Sequence, residues 1–269
     1  MTTLPQPESS DPHRARRMAE SFGEDAVRYD RARPGYPDEL IARVIDAGPG
    51  HDVLSVGCGT GIDARQFQAA GCHVLGVDPD ARMAEFARRS GVEVEVAKFE
   101  DWTPAGRTFD AVVAAQAWHW VDPVAGAAKA AEVLRPKGIL AVFAHVYMPP
   151  GPVGEAMTEV VRRVLPGSPL GAMPARDSTA IYGAMFAKFA DGFRQAEAFA
   201  EPEQWRFDWE RYYTRDEWLE LMPTTGGLTR VPGDKLAEIL DAIGAAVDKL
   251  GGGFTMPFTT LATAVTKAG

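Results

Sequence analysis

The stretch Val53-Leu54-Ser55-Val56-Gly57-Cys58-Gly59-Thr60-Gly61 constrains this chain more than any other. A short apolar run, alternating glycines and a helix-forming run from Ile62 to Ala70, stopped by Gly71, read as strand, tight turn and helix. Glycine tolerates backbone conformations that other residues avoid and lets a ligand come close to the main chain. The N–H groups at the start of the helix then face whatever sits above the turn. Asp78 ends the next apolar run, Val74-Leu75-Gly76-Val77, where a carboxylate can take both hydroxyls of a ribose. Together these features describe a nucleoside-binding crevice. A dinucleotide fingerprint needs a third glycine where this chain has Ile62, which favours a ligand without a diphosphate.

The same texture continues along the chain. From His13 to about Asp46 the pattern is helical, broken by a turn at Arg33-Pro34-Gly35-Tyr36-Pro37; after it Leu40, Ile41, Val44 and Ile45 share one face. A helix from Pro79 to Ser90, an alternating strand Val92–Val96, an apolar strand Asp110–Ala115, a helix Val124–Leu134 and a strand Ile139–Ala144 follow. Strands alternating with helices imply an open, doubly wound parallel sheet in an α/β fold. The glutamates of the third strand suit a sheet edge, which gives a 3-2-1-4-5 order with the ligand crevice at the carboxyl ends.

Residues 1–12 read as a flexible tail, 13–146 as the core with N-terminal lid helices, and 147–204 as a helical cap over the acceptor site. Within the cap, helices are expected around 153–164 and 179–189, with a turn at Pro166-Gly167-Ser168-Pro169. Residues 205–269 return to the sheet through Trp205–Trp209, a helix opened by a capping box at Thr214 and Glu217, a helix from Asp234 to Leu250, and a strand Phe254–Val265. Pro257 suggests an edge or strand-start position for that strand.

Composition removes several functions. Among 269 residues, 28 basic side chains face 37 acidic ones, a net charge of −9 that disfavours electrostatic binding of nucleic acid. No uncharged apolar run approaches the roughly 20 residues of a membrane span, and the N-terminus lacks a signal-peptide pattern. Cys58 and Cys72 cannot form a metal framework, and no His/Asp/Cys cluster has metal-ligand spacing. A cytoplasmic location is the expectation.

On these residues the chain resembles the class I S-adenosylmethionine-dependent methyltransferases, in particular the methyltransferase-11-like group and a bacterial subgroup related to trans-aconitate methyltransferase. Gly57-Cys58-Gly59-Thr60-Gly61 resembles the first motif and Asp78 the second. Lys98-Phe99-Glu100-Asp101 falls where the family contacts adenine, and Phe109 to Trp120 resembles the fourth-strand motif. Leu134-Arg135-Pro136-Lys137-Gly138 looks like the turn into the fifth strand, and Phe22–Asp30 with Arg33–Pro37 resembles the subgroup. The resemblance implies a seven-stranded Rossmann-like sheet in the order 3-2-1-4-5-7-6 with its last strand antiparallel. It also implies S-adenosyl-L-methionine as cofactor, held by Gly57, Cys58, Gly59, Gly61, Asp78, Phe99, Glu100, Gln116 and Tyr29. Many members carry an acid where this chain has Ser55.

His119, flanked by Trp118 and Trp120 just past the fourth strand, is the candidate general base; the other reading is a packed histidine that orients the loop. Trp118, Trp120, Tyr29, Tyr36 and Tyr147 are candidates for an aromatic cage or for core, and His145 is a second candidate on the acceptor side. The reading is a methyltransferase acting on a small molecule, monomeric or homodimeric, without metal, nucleic acid or membrane. A nicotinamide-dependent oxidoreductase and a non-catalytic nucleoside-binding protein are the alternatives.

Overall fold

The computed structural model describes residues 21–147, 149–166, 178–225 and 227–269. The tail expected over 1–12, the helical start at His13 and the turn at Gly167-Ser168-Pro169 lie outside the described residues.

Two helices lead in, α1 (Ala26–Ala32) and α2 (Asp38–Ala47), separated by the Pro34–Pro37 turn. Asp25 caps α1 by accepting from the Arg28 N–H at 3.0 Å, and the α2 face of Leu40, Ile41 and Val44 is buried. Then come β1 (Asp52–Val56), α3 (Ile62–Ala69), β2 (His73–Asp78), α4 (Ala81–Arg89), β3 (Glu93–Val96), β4 (Phe109–Ala115), α5 (Pro123–Val133) and β5 (Leu134–Tyr147). The rest of the chain forms α6 (Gly151–Val164), α7 (Ser178–Gln195), β6 (Glu203–Thr214), α8 (Arg215–Leu221), α9 (Gly233–Lys249) and β7 (Gly253–Thr266). The strands make one seven-stranded sheet in the order β3-β2-β1-β4-β5-β7-β6, with β7 antiparallel to both neighbours.

The inner strands are buried on both faces, as parallel strands under helices must be. Leu54, Val56, Leu75, Val77 and Val112 pack with α5 and with Phe186, Phe189 and Phe193 of α7. Val53, Val74, Val94 and Val113 pack on the other face with α2, Ala64 and Phe67 of α3, and Ala84 and Ala87 of α4. Burying each such large side chain contributes roughly 1.5–3 kcal/mol. A third apolar cluster joins α6, α8 and α9 to the Phe254–Phe258 end of β7.

β3 is an edge strand, as its glutamates suggested: Glu93 is exposed, and Glu95 accepts from Arg107 at 2.7 Å and from the Trp102 indole at 2.5 Å. At the amino ends of the strands Arg135 bridges Asp52 and Asp110, each at 2.7 Å, which ties β1, β4 and β5 together far from the crevice. Three expectations need correction. β5 is longer than Ile139–Ala144: it begins at Leu134, paired with Phe109 of β4, where a helix end and a turn were expected, and it reaches Tyr147 because β7 pairs with it from Ile139 to Tyr147. β6 runs past Trp209 to Thr214 for the same reason, laddered along its length on β7. Pro257 sits in an interior strand, yet one residue beyond the last β5 pair, Tyr147 with Phe258, so its missing N–H costs no bond on that side.

Candidate functional site

The carboxyl ends of β1, β2 and β4 converge on an open, largely apolar recess. Gly57 and Gly59 line its floor, both left-handed, with φ of +63° and +54°. The need for glycine differs between them. A Cβ on Gly57 would lie 2.5 Å from the Ala117 Cβ, whereas one on Gly59 would meet nothing within 4 Å. Gly61, the left-handed residue before α3, packs against Val92 and Ala87 and does not line the recess.

Four N–H groups of this turn are already taken within the fold. Gly57 and Cys58 donate to the Val77 carbonyl, Gly59 to Asp78 Oδ2 at 2.8 Å, and Gly61 to the Cys58 carbonyl. The turn therefore offers close approach rather than a nest for phosphate, in keeping with a ligand that carries no diphosphate. The Cys58 thiol also turns away from the recess, into the core beneath Gly76, and burial pushes it well above the usual thiol range.

Asp78 stands at the foot of the recess and is 7% exposed. Its Oδ2 accepts from Gly59 and its Oδ1 from the Asp80 N–H, each at 2.8 Å. A carboxylate has about four lone-pair sites, so each oxygen keeps one for a further donor, a match for two neighbouring hydroxyls. Burial pushes its pKa up to about 6, and the two N–H bonds oppose that shift. Phe99 and Glu100, in the turn after β3, line the wall, with Glu100 also accepting from the Asp122 N–H at 3.0 Å. Gln116 lines it too, held at φ +55° by the bond from its N–H to the Phe143 carbonyl. Tyr29 closes the top, brought there by α1, which Arg65 of α3 anchors through a 2.6 Å ion pair to Asp30.

Sequence reasoning missed Phe22, Met83 and Val121 in this lining. Met83 was readable as the inward face of α4; Phe22 and Val121 reach the recess through turns that periodicity does not describe.

The three rings after β4 part company. Trp118, His119 and Trp120 occupy one 3-10 turn, whose three-residue repeat points successive side chains about a third of a turn apart. Trp118 is buried against Phe99 and Phe193, and Trp120 faces the recess. His119 leans on the Trp120 ring at 4.6 Å and lines neither recess; its apolar surroundings push its pKa down to about 4.

Tyr29 and Gln116 also open onto a second recess of about 380 Å3, walled by Arg33, Tyr36, His145, Tyr147 and Phe258. Of the described residues of 147–204, Tyr147 alone lines either recess. Tyr182 of α7 stands near it, its phenol pushed up first by burial and then by Tyr147. Below the loop, Ser55 donates to Asp63 at 2.6 Å, and burial pushes this carboxyl up to about 6. Neither residue lines the recesses. No group of three or more His, Cys, Asp or Glu side chains among the described residues could hold a metal, and no described helix is long and apolar enough to cross a membrane.

Residues 53–138, from β1 into the first residues of β5, match the family described as "Methyltransferase domain". That stretch holds the glycine loop, Asp78 and the fourth-strand motif, on a sheet of the order given above. Over this stretch the chain is similar to methyltransferase domains. Uncharacterized methyltransferases of Mycobacterium tuberculosis and Mycobacterium bovis are 37% identical to it over 127 residues, 46% of this chain and 52% of theirs. The chain thus spans about half the length of the curated relatives it matches. A candidate type II methyltransferase from Anaeromyxobacter dehalogenans has a similar structure, with a TM-score of 0.57 at 25% identity over 88% of this chain and 97% of that one. A Haemonchus contortus phosphoethanolamine N-methyltransferase, solved with phosphomonomethylethanolamine and S-adenosylhomocysteine, shares the methyltransferase fold at a TM-score of 0.52 and 15% identity, covering 98% of this chain and 62% of that one.

Proposed function

We propose that this protein transfers a methyl group from S-adenosylmethionine to a small-molecule acceptor. One observation carries the reading: Asp78, with one lone pair left on each carboxylate oxygen, at the foot of the recess beside the left-handed glycines Gly57 and Gly59. The donor set fits that cofactor. Asp78 would hold the ribose hydroxyls, the Phe99 backbone and Glu100 the adenine, and Gln116 the reacting end. Tyr29 and Trp120 would set aromatic faces beside the positive sulfur. Cys58 and Gly61 would contribute through the shape of the turn, since neither faces the recess.

When bound, S-adenosylmethionine supplies a methyl group on a sulfonium, which a nucleophile displaces in line while the S–CH3 electron pair returns to sulfur. The protein's share of such a reaction is mainly positioning and exclusion of water. The second recess would take the acceptor, because Tyr29 and Gln116 form the partition between it and the cofactor recess. α1 would act as the lid, clamped by Arg65 to Asp30 on one side and by Arg31 to Glu220 on the other. The enzyme is read as cytoplasmic, working as a monomer or homodimer. His119 would orient the loop that presents Trp120, and a role as base would require it to leave its present packing.

The test is incubation with S-adenosylmethionine and a panel of small acceptors, read by mass spectrometry for S-adenosylhomocysteine and a singly methylated product. Both species rising together supports the reading. S-adenosylhomocysteine failing to form with any acceptor, while the protein binds it tightly, would leave a non-catalytic binding protein.

A further inference from the structure

The second recess contains a polar group that the cofactor chemistry leaves unused. His145, on β5, is 3% exposed, lines the recess, and has no hydrogen-bond partner for Nε2 among the described residues. Its other nitrogen is tied down. The Trp209 indole N–H donates to Thr260 Oγ1 at 2.9 Å, and the same Oγ1 lies 2.9 Å from His145 Nδ1. Thr260 is fully buried, and the imidazole Nδ1 is the acceptor within reach of its hydroxyl proton among the described residues. The hydroxyl that accepts from Trp209 therefore donates to Nδ1, and a neutral imidazole that accepts at Nδ1 carries its proton on Nε2. The ring stays neutral because burial, helped by the nearby Arg33 charge and weakly opposed by the Gly35 backbone, pushes its pKa down to about 3. Stacking on Tyr36 at 4.5 Å and edge contacts with Trp209 and Phe258 fix the plane of the ring. Among the described residues Nε2–H is thus a buried donor without a partner in good hydrogen-bond geometry, the Gly35 backbone bond to the ring doing no more than oppose the downward shift of its pKa.

Arg33 lines the same recess. Its guanidinium donates to the Thr224 hydroxyl at 3.1 Å and to the Thr224 carbonyl and lies over the Tyr29 ring, and among the described residues it has no carboxylate partner. None of the described side chains that line the recess is acidic. We propose that His145 is a specificity residue locked as a neutral Nε2–H donor, and that with Arg33 it selects ligands presenting an anionic oxygen to the second recess. The proposal rests on the methyl-transfer reading, in which this ligand is the acceptor. An oxygen that arrives without its proton needs no base, and the locked Nε2–H offers none.

The test starts with the tautomer. Long-range proton–nitrogen NMR of the 15N-labelled protein reads which nitrogen of each histidine is protonated, with His145 assigned by the signal missing in His145→Gln. If that variant does not fold, the shift caused by Thr260→Ser makes the assignment. An Nε2-protonated ring that turns into a tautomer mixture in Thr260→Val and is restored in Thr260→Ser supports the lock; an Nδ1-protonated ring overturns it. In the second arm, benzoate and the uncharged benzamide are titrated into the S-adenosylhomocysteine-loaded protein. Benzoate shifting the His145 Nε2–H signal at least about tenfold more tightly than benzamide supports the ligand class, as does loss of that preference in Arg33→Gln. Equal binding of the two, or no shift with benzoate, overturns it. Failure of the unlabelled protein to bind S-adenosylhomocysteine would instead strike the methyl-transfer reading, while the tautomer stays measurable in the free protein.

Discussion

Replacing Gly57 by alanine introduces two separate penalties. The first is conformational: at φ +63° a side-chain-bearing residue sits in the left-handed region, which costs roughly 1–2 kcal/mol. The second is steric. The new Cβ would lie 2.5 Å from the Cβ of Ala117, and Ala117 cannot swing aside: it is buried, between Gln116, itself left-handed, and the turn holding buried Trp118. Relief requires the loop after β4 to shift, and overpacking of this kind costs about 1–3 kcal/mol. Gly59→Ala isolates the first penalty, since its φ is similar at +54° and its Cβ would meet nothing within 4 Å. Equilibrium urea unfolding followed by circular dichroism should place Gly57→Ala about 2–5 kcal/mol below wild type and Gly59→Ala only about 1–2 kcal/mol below it. In return, Gly59→Ala should weaken S-adenosylhomocysteine binding, because its methyl group enters the recess floor. Equal destabilisation by the two substitutions would refute the reasoning, for it would mean that the contact with Ala117 yields without cost.

Three further outcomes are expected. Because burial raises Asp78 to about 6, folding favours its protonated form, a stabilisation present at low pH and lost as pH rises through about 6. Binding of two hydroxyls needs the ionised form, so S-adenosylhomocysteine affinity should fall about tenfold between pH 8 and pH 5 by calorimetry, and a flat profile would contradict the role given to Asp78. Arg65→Ala removes the partly buried 2.6 Å pair that anchors α1 and should weaken S-adenosylhomocysteine binding about fivefold, roughly 1 kcal/mol, with little change in Tm; a large fall in Tm would make the pair a core element instead. His119→Ala should lower turnover and S-adenosylhomocysteine affinity together, each by about fivefold or less, because His119 orients the loop that presents Trp120, and a loss of turnover far exceeding the loss of affinity would restore His119 as a base.

What the sequence made legible was local. The glycine turn and Asp78 could be read because glycines, a strand end and an acid fall within one βα unit, and the order of the first five strands followed from the polarity of β3, while the 7-6 end came only from the family resemblance. What it hid depends on distant pairing or on the direction of single side chains. The N–H groups of the turn seemed free until β2 supplied the Val77 carbonyl and the Asp78 carboxylate that take them. Trp118, His119 and Trp120 looked like one aromatic cluster, but a 3-10 turn sends them to the core, the loop and the recess. His145 became more informative than His119 through Thr260 and Trp209, more than 60 residues away on strands whose pairing the sequence does not show. Pro257, expected at an edge or a strand start, lies in an interior strand but beyond the end of the β5 ladder, and where that ladder stops is a property of the whole sheet.

The most direct measurement is calorimetric titration of S-adenosylhomocysteine and of NADH into the wild-type protein and Asp78→Ala. The account predicts micromolar binding of S-adenosylhomocysteine to wild type, at least about 100-fold weaker in the variant as two hydrogen bonds to a charged group are lost, and no binding of NADH. S-adenosylhomocysteine binding left unchanged by Asp78→Ala, or NADH binding the more tightly of the two, would contradict it.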